Sequence, residues 1–331
     1  MTKKNIFILR SPLQIINAIE AIEHFDLINN ILILIYNKLD SNAKQMEELI
    51  DTYSWDKVVK LEQKSRSKLF DYVRLVKELK KESYHYLFFG NLGTIQKVII
   101  ANVNKEKVFL LDDGTSTITY YHEFIKPNKI NKFNFREFRF LFFGLKFIVE
   151  DNINFFTYFD LKSIDTIEIH HNSLSKLKSK STSTLQSEHT YFIGQPLDDI
   201  DILNETQYKN MLEEIANKEK IFYIHHRAES KSLKETIKSI KNINFEIVTT
   251  DMPLELYFLK NNIIPFKIIS CYSTALTTME LMFKNIKIDI IKIPKNIVNN
   301  KIYYDKNLVK YYKEVNQDNI VNLEIFKGYE L

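Results

Sequence analysis

Short hydrophobic runs alternate with longer segments of helical period, twice over along this chain, and that alternation restricts the fold more than any other feature. Runs at 6–9, 31–35, 57–61, 86–89 and 108–111 read as strands, separated by amphipathic stretches at 13–25, 43–52, 69–82 and 95–103. The rhythm resumes with runs at 190–193, 221–224, 245–248, 266–269 and 286–291, now separated by helical patterns near 205–217, 232–240, 254–260 and 274–283. Strands that alternate with helices pair in parallel, because each helix carries the chain back over a face of the sheet. The pattern therefore predicts an α/β protein of two Rossmann-like domains, with parallel sheets facing across a cleft. Apolar period is lost at 172–188, where Ser, Thr and Lys dominate. This places an N-terminal domain at 1–170, a linker at 171–188 and a C-terminal domain at 189–331.

Several function classes lose ground on composition. Neither half carries a glycine-rich dinucleotide fingerprint or a P-loop, which disfavours nicotinamide and NTPase chemistry. A net charge of +4 over 331 residues is too small to indicate nucleic acid. The single cysteine, Cys271, excludes an internal disulfide and is compatible with a reducing cytosol. No apolar run reaches the ~18–20 residues that span a bilayer, and the run at 5–9 is too short for a signal-peptide core. The expected location is cytoplasmic.

One segment breaks the rhythm. Seven phenylalanines lie between Phe133 and Phe147, interleaved with Arg136, Arg139 and Lys146, and Lys132 precedes them. Such a helix packs on the core or forms a dimer contact on the commoner reading, and lies peripherally on the inner face of the cytoplasmic membrane on the other.

Polar clusters at predicted strand ends mark the site, since ligands of α/β folds bind beyond the carboxyl ends of strands. Asp112-Asp113-Gly114 follows the run at 108–111, and Gly114 permits a sharp reversal there. An ordinary turn with capping acids explains the same residues, and two adjacent acids also raise a divalent metal. His225-His226-Arg227 follows the run at 221–224. Alternation along an extended segment lets one imidazole face the cleft while the other packs inward, which argues against a joint metal site. An imidazole facing a phosphate can donate to a leaving group, or it can be structural. Gly194-Gln195 allows close backbone approach to a ligand, and Asp198 and Asp199 follow as candidate bases. Ser273-Thr274 opens a helix, where free N–H groups suit an anion or where Ser simply caps. Glu255, early in its helix, can accept from a ribose or stand exposed.

In this order the motifs resemble the bacterial sialyltransferases of glycosyltransferase family 52, the lipooligosaccharide and capsule type. The resemblance runs through Ser11-Pro12-Leu13-Gln14, Leu111-Asp112-Asp113-Gly114-Thr115, Ile193-Gly194-Gln195-Pro196, Tyr223-Ile224-His225-His226, Leu254-Glu255-Leu256-Tyr257 and Ser273-Thr274-Ala275-Leu276. It implies a dimeric GT-B enzyme that moves sialic acid from CMP-sialic acid to a galactose-terminated glycan. The implied transfer is inverting, forms an α-2,3 linkage and needs no metal or other cofactor. Carried over, His226 assists departure of CMP, Ser273 and Thr274 hold the donor phosphate, Glu255 lies in the nucleotide pocket, and Gly194 with Gln195 forms the donor-side loop. Ser11, Gln14, Asp112 and Gly114 fall on the acceptor or framework side. The family's histidine is often followed by proline, where this chain has Arg227. The base is Asp113 or Asp198, with Asp113 preferred. Transfer of another CMP-activated nonulosonic acid or of a 3-deoxy-octulosonic acid, or glycan binding without catalysis, fits the same architecture. A metal-dependent phosphoesterase fits less well.

Overall fold

The computed structural model describes residues 3–36, 40–62, 69–127, 129–131, 135–179, 187–283 and 285–329. The chain forms two compact units, Met1–Leu177 and Lys178–Leu331.

In unit 1 the strands are β1 (Lys4–Leu9), β2 (Asn30–Tyr36), β3 (Lys57–Glu62), β4 (Ser83–Phe89), β5 (Asn104–Leu111), β6 (Ile153–Thr157) and β7 (Ile169–His171). They are all parallel and lie in the order β3-β2-β1-β4-β5-β6-β7. Helices α1 (Pro12–His24), α2 (Asp40–Ile50), α3 (Leu69–Leu79), α4 (Thr94–Asn102) and α5 (Ser116–Tyr120) provide the crossovers and the turn after β5, and α6 (Ser175–Ser179) follows β7. β1 and β2 are buried along almost their whole length. That burial on both faces is why they read as continuous Ile, Leu and Phe runs. β3, at the edge, is exposed or half-buried throughout and carries Lys57, Lys60 and Glu62, charges that oppose pairing with another chain. Phe7, Phe88 and Phe109, on the adjacent strands β1, β4 and β5, stack at 4.6 and 5.2 Å between ring centroids. Each fully buried ring contributes about 1.5–3 kcal/mol of transfer free energy.

Unit 2 repeats the plan with β8 (Thr190–Ile193), β9 (Ile221–Ile224), β10 (Phe245–Val248), β11 (Lys267–Ser270), β12 (Lys287–Ile291) and β13 (Ile320–Val321), parallel in the order β10-β9-β8-β11-β12-β13. Its helices are α7 (Glu205–Lys218), α8 (Lys231–Lys238), α9 (Leu254–Lys260), α10 (Thr274–Met282), α11 (Lys301–Tyr303) and α12 (Val309–Glu314). α7 starts on a capping box between Asn204 and Gln207. Strand order reverses between β1 and β4 in unit 1, and between β8 and β11 in unit 2. Doubly wound sheets open a ligand crevice at such reversals.

The ten strands expected from the sequence are all present. β6, β7 and β13 were not legible as strands: β7 is Ile-His-His and β13 only two residues long, too little for a period to register. Within the expected linker, the first three residues of α6 belong to unit 1, where Leu177 is buried and the Lys176 and Leu177 amides donate to Glu20 at 3.0 and 2.6 Å. Residues 180–186 of that stretch lie outside the described residues. In the Phe-rich segment, 132–134 lie outside them too, and Phe135–Phe143 forms a 3-10 helix. Phe140 is buried, whereas Phe142 is 89% exposed, with Phe138, Leu141 and Ile148 also exposed.

Candidate active site

In unit 1 the residues singled out by sequence gather at the β1/β4 reversal and the adjoining end of β5. Ser11 caps α1 by accepting from the Gln14 amide at 3.3 Å, and its hydroxyl donates to Asp113 Oδ1 at 3.2 Å. Gln14 is buried: its Oε1 accepts from the Arg10 amide at 2.8 Å, while its Nε2 is a buried donor with no hydrogen-bond partner among the described residues. A Cβ at Gly90 would stand 2.0 Å from Gln14 Cδ, so the glycine after β4 makes room for this side chain at the reversal.

Asp112 and Asp113 diverge. Asp112 is fully buried, accepting from Thr157 Oγ1 at 2.7 Å and from the Tyr158 amide at 2.9 Å, and its carbonyl accepts from Asn17 Nδ2 at 3.1 Å. It ties the end of β5 to the end of β6. Burial outweighs those hydrogen bonds and lifts its carboxyl to about 7. Asp113 is half-buried beside the start of α1, and Gly114 takes φ +69°, the left-handed turn the sequence called for. The hydroxyls of Ser116 and Thr117 are engaged by the Asp113 backbone, Ser116 donating to its carbonyl and Thr117 accepting from its amide. Tyr120 is kept protonated by burial and by the nearby Asp113 carboxylate.

In unit 2 the loops after β8, β9 and β11 are joined by hydrogen bonds. Gln195 Oε1 accepts from Ser270 Oγ at 3.2 Å, the Cys271 amide at 3.2 Å and the Tyr272 amide at 2.6 Å. This oxygen is therefore a staple across the β8/β11 reversal. The Gly194 amide donates to the Ile224 carbonyl at 2.8 Å. A Cβ on Gly194 would lie 2.1 Å from Glu229 Oε1 and 2.3 Å from the Tyr223 hydroxyl.

β9 ends at Ile224, so the two histidines sit in a loop and strand alternation does not separate them. Both are half-buried. His226 Nδ1 accepts from the Ala228 amide at 3.1 Å, which leaves its proton on Nε2. Burial, with Arg227 and Lys234 nearby, lowers its pKa to about 4, so the ring is neutral at pH 7. His225 Nδ1 donates to Glu229 Oε2 at 2.6 Å. Asp198 accepts from Ser230 Oγ, the cap of α8, at 2.7 Å, and its Oδ1 is buried with no hydrogen-bond partner among the described residues. Ser273 caps α10 through the Ala275 amide at 3.3 Å, and Thr274, half-buried, begins that nine-residue helix. Glu255 is buried, not exposed, and accepts from Thr278 Oγ1 on α10 at 2.8 Å.

Glu229 escaped the sequence reading. The available signal was its place four residues after His225, in a chain where a Tyr precedes the His pair. Among the described residues no three His, Cys, Asp or Glu side chains cluster as a metal would need. No helix among them is long and apolar enough to cross a membrane.

Two parallel-sheet α/β units of this kind define the GT-B class of fold, and the chain is a glycosyltransferase of that class. It matches the family model for alpha-2,8-polysialyltransferase over residues 5–292 and belongs to that family, which makes it a sialyltransferase. Solved structures share the fold at low identity. The S. aureus MnaA structure with UDP has a TM-score of 0.56 at 10% identity, covering 95% of this chain and 91% of that one. A putative UDP-N-acetylglucosamine 2-epimerase from Listeria monocytogenes gives 0.55 at 9% identity, with coverage of 89% and 80%. The UDP-GlcNAc 2-epimerase of Methanocaldococcus jannaschii gives 0.50 at 14% identity, with coverage of 94% and 91%. No curated protein matches the sequence.

Proposed function

We propose that the protein transfers sialic acid from CMP-sialic acid to a glycan, with inversion and without a metal cofactor. The observation that carries this reading is the loop frame of unit 2. A neutral imidazole with its N–H on Nε2 and a helix start at Ser273-Thr274 belong to loops at the carboxyl ends of β9 and β11, the two strands that flank β8. That combination suits a departing nucleoside monophosphate, because fixed N–H dipoles stabilise the developing charge. In this reading His226 donates to the phosphate, Ser273 and Thr274 hold it, and Glu255 and the Gly194 loop contact the nucleoside. Asp113 removes the proton of the acceptor hydroxyl. It is preferred to Asp198 because Asp113 accepts from Ser11 at the β1/β4 reversal, whereas Asp198 accepts from Ser230, the cap of α8. Ser11 and Gln14 would then meet the acceptor, while Asp112 and Gly114 support the turn.

The family's description favours a sialylated acceptor and an α-2,8 linkage. The motif resemblance to family 52 favours a terminal galactoside and an α-2,3 linkage. A panel of lactoside and sialyllactoside acceptors, with product linkage read by NMR, decides between them, and a panel of CMP-sugars tests donor choice. Activity is expected to survive EDTA; loss restored by magnesium would overturn the metal-free mechanism. We further place the enzyme on the cytoplasmic membrane face as a homodimer, the exposed Phe138, Leu141 and Phe142 beside Arg136 and Arg139 supporting peripheral contact with anionic lipid.

A further inference from the structure

A directed chain of hydrogen bonds runs beneath the Gly194 turn. The Gln195 amide donates to the Tyr208 hydroxyl at 3.0 Å, Tyr208 and Tyr223 hydroxyls lie 3.2 Å apart, and Tyr223 donates to Glu229 Oε1 at 2.8 Å. Because Tyr223 commits its proton to Glu229, Tyr208 is the donor in the middle link. Burial holds both phenols protonated, as this direction requires. The Glu229 side chain is 0% exposed and accepts two further bonds, from the His226 amide at 2.8 Å and from His225 Nδ1 at 2.6 Å. Glu229 is thus the one carboxylate that grips both histidines, one by its ring and the other by its backbone.

The consequence lies in the proton positions. His225 has its Nδ1–H on Glu229, so in the neutral ring Nε2 is a bare lone pair, and that atom is buried with no hydrogen-bond partner among the described residues. His226 has the opposite arrangement, with Nδ1 accepting from Ala228 and the proton on Nε2. We propose that Glu229 is a positioning residue of the donor site, which holds His225 in the Nδ1–H tautomer and anchors the backbone of His226, so that the His226 ring, its own tautomer set by the Ala228 amide, presents its Nε2–H to a nucleoside monophosphate. A carboxylate behind an imidazole sets tautomer and ring orientation in this way wherever the other ring nitrogen must work. Gly194 belongs to the same device, since any side chain there would displace the carboxylate and the Tyr223 hydroxyl. The inference deepens the sialyltransferase reading of this site and rests on it.

The test reads tautomers directly, by nitrogen-15 NMR of the histidine rings in the full chain, assigned with His225→Gln and His226→Gln. The wild-type chain is expected to show His225 protonated at Nδ1 and His226 at Nε2, with the His226 signal moving when CMP is added. In Glu229→Gln the new amide meets His225 Nδ1 as a donor, so His225 should switch to the Nε2–H form. The turnover number should fall by about 10- to 100-fold, with the donor KM held within about threefold. Wild-type rings that share one tautomer, or a Glu229→Gln chain that folds with tautomers and turnover unchanged, would overturn the proposal. The wild-type spectrum decides even if the variant fails to fold. Absence of any sialyl transfer with the tautomers as described would fail the functional reading alone.

Discussion

His226 and the two candidate bases separate by how the chain holds them. His226 is neutral at pH 7, half-buried and oriented by Ala228, so His226→Ala should lower turnover by about 100- to 10,000-fold while leaving the fold intact. Comparable steady-state turnover of that variant would remove the imidazole from the mechanism. Asp113→Asn is expected to show a similar loss and Asp198→Asn a small one, and the reverse ranking would transfer the base to Asp198. Asp112 gives a prediction about stability. Its carboxyl is raised in the folded state from the unfolded value of 3.8 to about 7, so the folded chain holds the proton more tightly. The stability this contributes is complete below about pH 4 and is lost as pH rises through 7. The melting temperature of wild type should therefore fall relative to that of Asp112→Asn from pH 4 to pH 7.5; a difference independent of pH would contradict the assignment. At this scale the sequence exposed acids, histidines and glycines at strand ends, because their types and positions are visible. It could not show that Gln195 is a staple, that Asp112 is buried or that Glu229 joins the histidines, since those depend on side chains meeting across loops far apart in sequence.

At the level of elements, the strand ends set the site and glycines decide how closely they approach. Gly194→Ala places a Cβ 2.1 Å from Glu229 Oε1, with a rigid strand end on one side and a filled hydrogen-bond network on the other. Overpacking of this kind costs about 1–3 kcal/mol, which urea unfolding of the variant should register as a lower midpoint at unchanged slope. An unaltered midpoint would mean that the loop yields freely and that Glu229 is less firmly held than the hydrogen bonds imply. The buried strands of both sheets were legible as apolar runs because parallel strands bury both faces. β7 and β13 were not, being short and, for β7, rich in histidine. The Phe-rich stretch was legible as a helix outside the α/β rhythm, but its 3-10 form was not, because a division between a buried Phe140 and an exposed Phe142 suits either kind of helix.

For the whole molecule, two successive doubly wound sheets were foreseeable from the doubled alternation alone, and the polysialyltransferase family match makes the chain a sialyltransferase. Fold does not decide function, as the epimerases that share it make plain. The account therefore turns on what the purified protein does with its proposed donor. Incubation with CMP-sialic acid and a mixture of lactoside and sialyllactoside, followed by mass spectrometry, should show acceptor mass rising by one or more sialic acid residues with matching release of CMP. Donor left intact, or CMP released with sialic acid passing only to water, would contradict it.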